Sequence, residues 1–354
     1  MATLAQLLEA LTPPALAVDA SERVAGCNAA ARRLFGEDPT GAHFSRVLRN
    51  PGLVEGIERS LAGDAPRAAL RWRPPGTQDS HEVTFGALGQ GAERHALLLF
   101  TDRSEAEQAE AMRRDFVANV SHELRTPLTT LMGFIETLRG PARDDAPARD
   151  RFLGIMEAEA GRMKRLVDDL LSLSRVEENE RLRPTDPVDL AEIARSVRAG
   201  LAPMAERAGV TLAEVTAEAA PVVPGDADQL RQVLTNLVEN AIKYGGAGAR
   251  VTLRVERRDH DADLRGPAAA LIVTDTGPGM DPLHIPRLTE RFYRVDTHRS
   301  RDKGGTGLGL AIVKHIVSRH RGRLRITSAP GEGSRFAVIL PLTAPETPPA
   351  GPLS

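Results

Sequence analysis

A single cysteine in 354 residues excludes an internal disulfide. Cys27 stands among small apolar residues rather than beside His or Lys, the setting of a buried structural thiol in a reducing cytoplasm. No apolar run approaches the roughly 20 residues that a membrane-spanning helix needs, and the longest, around Leu97 to Phe100, is strand-sized. Met1 to Ala10 lacks the basic start of a signal peptide. Neither sign of charge dominates: 46 basic residues against 48 acidic ones build no field for nucleic acid. With 41% hydrophobic residues there is ample material for a core, so two or three cytoplasmic domains without a membrane segment are expected.

Residues 1–103 alternate short β-rich pieces with turns: Ala15 to Val18, Val24 to Cys27, a helical stretch Ala29 to Leu34 closed by Gly36, then Glu82 to Phe85 and His95 to Thr101. This predicts a small α+β module. Residues 104–180 read as two amphipathic helices. The first carries Val117, Val120, Leu124, Leu128, Leu131, Ile135 and Leu138 in steps of three and four and stops at Gly140-Pro141. The second carries Phe152, Met156, Met163, Leu166, Val167, Leu170 and Leu173. A helical hairpin leaves an apolar stripe in water, so two copies joined as a four-helix bundle, or packing on the chain's own third domain, are the two ways to cover it. Residues 187–342 mix helices and strands as an α/β sandwich, helices over one mixed sheet, with a polar hairpin tip from Arg257 to Pro267. The proline-rich tail, 343–354, has the composition of a disordered segment.

Four strings carry chemistry. In the first hairpin helix, Pro127 should bend the chain just past His122, whose imidazole projects from the flank of the apolar face. Glu123 can accept the ring proton and leave the other nitrogen free to attack phosphorus. In Gln232 to Tyr244, the side chains of Asn236, Asn240, Lys243 and Tyr244 repeat at helical spacing: two carboxamides suited to Mg2+ and its water, and a cation for phosphates. Glu239 is expected to fall off that face.

Asp275-Thr-Gly277-Pro-Gly279 follows an apolar run, so its aspartate can accept a hydrogen bond from an exocyclic amine while the glycines let backbone approach a flat ring. Lys303-Gly304-Gly305-Thr306-Gly307-Leu308-Gly309 opens a helix and offers N–H groups to phosphates. No Gly-x4-Gly-Lys-Ser/Thr pattern occurs in the chain, and the glycine-rich loop does not follow a strand as a dinucleotide-binding loop would.

His122-Glu-Leu-Arg-Thr-Pro resembles the phosphoacceptor box of histidine kinases of the largest dimerisation subfamily. The resemblance implies that His122 is the phosphoacceptor, Glu123 its acid/base partner, and Thr126 the residue that positions water when such kinases act as phosphatases. The order Asn box, Asp-x-Gly-x-Gly, Phe292-Tyr293 and Gly-Thr-Gly-Leu-Gly resembles the ATP-binding domain shared by gyrase, Hsp90, the mismatch-repair ATPases and histidine kinases. It implies ATP and Mg2+ as cofactors, an ATP lid between Gly279 and Gly304, and Arg294, with Lys303 a weaker candidate, on the terminal phosphate. The strand, turn, strand, Asn28 to Gly36 opening resembles PAS sensor domains. Together the chain looks like a phosphate-regulon-type sensor kinase, working as a homodimer with the receiver domain of a response regulator as its partner. A rival ATPase of the same superfamily would carry a glutamate base where Asn236 stands, and a binding module would need one of the boxes to be missing.

Overall fold

The computed structural model describes residues 3–342 apart from 65–68, 75, 78, 179–181, 218–220 and 296–304. The expected disordered tail and, within the expected lid, Arg299, Arg301, Lys303 and Gly304 lie outside the described residues. The chain divides into two compact units, Met1–Ala118 and Asn119–Ser354.

In the first unit, α1 (Leu4–Glu9) opens with a reciprocal capping box between Thr3 and Gln6. β1 (Ala15–Val18), β2 (Val24–Cys27) and α2 (Ala29–Phe35) follow at the positions that the sequence pattern predicts, and α2 ends on Gly36 in the left-handed conformation. Asn28 fixes the turn between β2 and α2. Its Oδ1 accepts from the N–H groups of Ala15 and Ala31, and its Nδ2 donates to the carbonyls of Leu11 and Pro13, which satisfies a buried amide. Then come α3 (Phe44–Val47), α4 (Pro51–Ala62), β3 (Leu70–Trp72), β4 (His81–Leu88) and β5 (His95–Asp102). The strands form one antiparallel sheet in the order β2-β1-β5-β4-β3. Phe35, Trp72 and Phe100 meet ring to ring in its core. Cys27 is buried beside Asp38. Burial first, then the neighbouring carboxylate, pushes its thiol pKa up, as befits an unreactive structural cysteine.

From that sheet, α5 (Ser104–Arg139) runs as one helix through Pro127. Pro127 has no N–H for the carbonyl four residues back, and threonine hydroxyls crowd the same stretch: Thr126 donates to the His122 carbonyl and Thr130 to that of Thr126. The hairpin closes with α6 (Ala146–Glu178).

The rest of the second unit begins with β6 (Asp186–Asp189), α7 (Leu190–Arg207), β7 (Thr211–Leu212), β8 (Thr216–Ala217) and β9 (Val222–Gly225). It continues with α8 (Ala227–Gly245), β10 (Arg250–Asp261), β11 (Gly266–Asp275), α9 (Gly309–Arg319), β12 (Arg323–Ser328) and β13 (Ser334–Pro341). The sheet order is β12-β13-β11-β10-β7, with β8 also paired to β10; the first four strands are antiparallel and β7 and β8 run parallel to β10. Helices α7 and α8 cover one face with Leu230, Val233, Leu234 and Leu237 buried. The hairpin tip is narrower than its polar sequence predicts. The ladder extends to Asp261 and Gly266, because Arg258 pairs with Asp261 at 3.0 Å and Arg325 with Asp263 at 2.6 Å along the strand edge.

His320, at the end of α9, braces the start of α8. Its Nδ1 lies 2.8 Å from the Ile316 carbonyl, so that nitrogen carries the proton, and Nε2 accepts from the Asp226 N–H at 3.0 Å. The ring is buried, and burial lowers its pKa below the ordinary value of 6.5. Below that value the unfolded chain binds a proton that the folded chain resists, so His320's contribution is present above about pH 6.5 and is lost as pH falls toward the depressed folded value. Amide exchange at the start of α8 is therefore expected to speed up between pH 7 and pH 5.5 beyond the intrinsic pH trend, and a His320→Gln variant to lose that extra dependence. Equal pH slopes in the two proteins would rule the brace out.

Candidate functional site

Several stretches of the second unit converge on one cavity of about 550 Å³. From α8 come Asn236, Asn240, Lys243 and Tyr244, one polar stripe on a helix whose opposite stripe is core. Asp226 caps α8 by accepting from the Asp228 and Gln229 N–H groups, which sets where that stripe begins. From the end of β11 come Asp275 and Gly279. From the loop entering α9 come Gly305, Thr306, Gly307 and Gly309, with Arg294 alongside.

Asp275 is 6% exposed. Its Oδ1 accepts from the Gly277 N–H at 2.9 Å, which holds the turn, and burial raises its pKa above the usual carboxylate range against that hydrogen bond and one from the Ser334 backbone. A buried aspartate with acceptor capacity left and an apolar neighbour, Phe336, suits the amine edge of a flat heterocycle.

The glycines of this turn also let backbone pass close to backbone. A Cβ on Gly279, which adopts φ +65°, would fall 1.9 Å from the Ala329 carbonyl oxygen. One on Gly277 would fall 2.7 Å from the Gly245 Cα. Both let backbone press on backbone, and Gly277 is absent from the cavity wall while Gly279 lines it. The turn Gly331 to Gly333 locks the arrangement through the Gly331 N–H to the Pro278 carbonyl at 2.7 Å.

Of the glycine-rich loop, Leu308 is fully buried in the core and does not reach the cavity; its N–H bonds the Thr306 hydroxyl at 3.3 Å. Phe292 carries the left-handed φ +64° and donates its N–H to the Gly307 carbonyl at 2.9 Å, tying its own stretch to the glycine-rich loop. Beside it Tyr293 Oη meets His284 Nδ1 at 2.8 Å.

The helical pattern puts Glu239 on another face, but Glu239 lines the same cavity and its carboxylate takes a 2.7 Å salt bridge from Lys243. A residue three positions after Asn236 lies only about 60° from it around the helix, well within one face. Reasoning from local strings also missed Arg165, Asp168 and Asp169, contributed to the cavity wall by α6. Asp169 Oδ2 accepts from the Thr306 hydroxyl at 2.7 Å, and burial, then the Glu239 charge, raises its pKa. Ser172 bonds Gln232 and Glu177 pairs with Arg291 and His315, so α6 docks on α8, α9 and the Arg291 stretch together. No periodicity inside one segment reveals such a contact.

His122 and Thr126 are exposed on α5 and take no part in the cavity wall. Glu123 points to the hairpin partner instead, where Arg162 of α6 holds its carboxylate at 2.9 Å with both side chains largely buried. His122 and the cavity thus sit on separate elements.

Comparison with known proteins agrees with this division of labour. Residues 112–179 match the His Kinase A (phospho-acceptor) domain, and residues 225–344 match the histidine kinase-, DNA gyrase B-, and HSP90-like ATPase family. The chain is 40% identical over 332 residues to the phosphate regulon sensor protein PhoR of Pseudomonas aeruginosa, covering 92% of this chain and 71% of that one. It is 40% identical over 248 residues to the sensor-like histidine kinase SenX3 of Mycolicibacterium smegmatis, covering 70% of this chain and 62% of the relative. The fold is like that of histidine kinase ThkA, solved in complex with response regulator protein TrrA, with a TM-score of 0.52 over 95% of this chain and 98% of that one at 19% identity.

Proposed function

Because the chain belongs to the two-component sensor histidine kinases, of phosphate-regulon type, we propose that the cavity of its second unit holds ATP and that His122 takes the terminal phosphoryl group. The observation that carries this is the convergence of Asn236, Asn240, Lys243, Asp275 and the Gly305 to Gly309 loop on one cavity, with an exposed histidine left outside it. Asp275 receives the adenine amine. The Gly305, Thr306 and Gly307 backbone faces the phosphates, and Lys243 and Arg294 supply cations for them.

Asn240 and Asn236 fit Mg2+: both carboxamides line the cavity, and among the described residues no group of three His, Cys, Asp or Glu side chains could hold a metal by itself. When bound, Mg2+ offsets phosphate charge during transfer. A ring nitrogen of His122 forms the bond to the γ-phosphorus while the bond from that phosphorus to the bridging oxygen breaks and ADP leaves. The phosphoryl group then passes to an aspartate of a response-regulator receiver domain.

Leu128, Met132, Ile135, Leu153, Val167 and Leu171 remain exposed along the hairpin, an apolar surface that supports a homodimer with a four-helix bundle. We divide the chain as a PAS-like sensor at 1–103, the dimerisation and phosphotransfer hairpin at 104–180 and the ATP-binding domain at 187–342. No helix among the described residues is long and apolar enough to cross a membrane; the kinase reading puts this part of the protein in the cytoplasm, where ATP is found. Incubation with labelled ATP and Mg2+ tests the proposal: acid-labile, base-stable label on the protein is expected, and release of phosphate without label would mean an ATPase instead.

The same protein is expected to dephosphorylate its partner. Thr126 lies one helical turn after His122 and its hydroxyl, exposed and donating to the His122 carbonyl at 3.3 Å, keeps lone pairs to orient a water toward a docked aspartyl phosphate. Thr126→Ala is expected to slow decay of a phosphorylated receiver by about 10-fold or more while sparing autophosphorylation. Equal decay with both proteins, measured in the presence of ADP, would leave Thr126 as a helix residue only.

A further inference from the structure

The first unit has a cleft of its own, an open space of about 890 Å³ at the β3 edge of the sheet, bounded by Arg46, Arg49, Arg71, Arg73, Trp72 and Ser80. Four guanidinium groups line it, yet the chain as a whole is slightly acidic. Among the described residues Arg46 and Arg49 have no acidic partner within ion-pair distance. Arg71 and Arg73 share one carboxylate, Glu107, whose two oxygens each lie 3.6 Å from a guanidinium nitrogen, too long for a hydrogen bond. The N-terminus of α4 adds little, because Asn50 already accepts from the Gly52 and Leu53 N–H groups. What the cleft offers is planar, permanently charged donors in excess of their counter-charge, the arrangement that recognises phosphoryl or carboxylate groups bidentately.

We propose that this cleft binds an anion bearing at least two phosphoryl or carboxylate groups, and that the anion acts by taking Arg71 and Arg73 away from Glu107. The volume lies within the range of small-molecule sites, about 300 to 1,000 Å³. The floor is joined directly to the output helix. Ser80 donates its N–H to the Ser104 hydroxyl at 2.8 Å and accepts from the Arg103 N–H at 2.7 Å, so a cleft residue clamps the first residues of α5. Glu107 lies one turn further along α5, the helix that continues unbroken to His122. An anion between the arginines and the Glu107 carboxylate cannot both hold them, so by linkage anion binding and the Glu107 contact oppose each other. The binding step stands by itself; only its effect on phosphorylation rests on the kinase reading.

The test is a calorimetric titration of the whole chain with pyrophosphate and with citrate at ~0.15 M salt, where exposed single charges are screened. A flotation assay with phosphatidylglycerol vesicles runs in parallel, with phosphatidylcholine as reference. One saturable site is expected, weakened about 10-fold or more in the double variant Arg46→Gln, Arg49→Gln and strengthened in Glu107→Gln. Basal autophosphorylation of the double variant should stay unchanged, because neither arginine touches the ATP cavity, while the response to the anion is lost. Binding of the soluble probes makes the ligand a free metabolite, and binding of the anionic vesicles alone makes it a lipid headgroup, each with the same arginine dependence. Affinities equal in wild type and the double variant, or no binding of either probe or of vesicles, overturn the proposal. Calorimetry reads the cleft whether or not the protein labels itself, so loss of the anion site and loss of kinase activity are separate results.

Discussion

Replacing His122 with alanine is expected to remove all stable phosphorylation from the chain while leaving ATP affinity within about twofold of wild type. The expectation follows from where the two parts sit. His122 is exposed on α5, and the cavity is built from α8, the β11 turn, the α9 loop and three side chains of α6. The hydrogen bonds given for the cavity among the described residues run between other side chains and backbone groups, not through the imidazole. Nor does His122→Ala threaten the helix, since alanine is the best helix former and the site is exposed. The neighbouring ion pair of Glu123 with Arg162 stays in place, so hairpin geometry is kept. Acid-labile label and nucleotide affinity are measured on the same preparation. Label persisting in the variant would move the phosphoacceptor elsewhere; lost nucleotide affinity would mean that α5 and the cavity are coupled more tightly than their separate positions suggest.

How much of this was legible beforehand depended on whether the cause was local. The four strings lie in the chain in the order of the elements that hold them, and each is marked by residue types whose chemistry is intrinsic: a histidine before a proline in α5, carboxamides at helical spacing in α8, a carboxylate at a strand end, a glycine loop before α9. Likewise α2 announces itself through Asn28 and Gly36, and the hairpin helices through steps of three and four. What escaped has causes elsewhere in the chain. Helix α4 contains Gly52 and Gly56, which weaken any helical prediction. Gly56 is there because a Cβ would fall 2.4 Å from the Phe85 ring, a strand residue 29 positions later. The contribution of α6 to the cavity comes from Asp169 meeting Thr306, 137 residues apart, and nothing in either neighbourhood encodes that. Glu239 was within reach of sequence reasoning, because three residues on a helix return close to the same face.

Asp275→Asn is expected to weaken ATP binding by a factor of about 10 to 100 and to lower autophosphorylation at limiting ATP in proportion, because a hydrogen bond to an ionised acceptor contributes about 1.5 to 3 kcal/mol. The same substitution should leave the fold at least as stable. Asparagine keeps an oxygen for the Gly277 N–H that Asp275 now accepts at 2.9 Å, so the turn survives. Burial raises the Asp275 pKa, which means that the folded state resists its charge and holds a proton more readily than the unfolded chain. The sign is then fixed: any stability linked to this group is greatest at low pH and falls as pH rises through the raised value, so at neutral pH the charge costs the fold something that asparagine does not. The amide is a poor substitute toward the nucleotide, since its NH2 would confront the donor edge of an exocyclic amine, leaving two donors opposed. Affinity and thermal midpoint of the whole chain are measured together. Weaker binding with an unchanged or raised midpoint identifies Asp275 as the adenine acceptor. Unchanged affinity would place the nucleotide elsewhere, and a lowered midpoint would show the carboxylate to be a structural anchor of the turn.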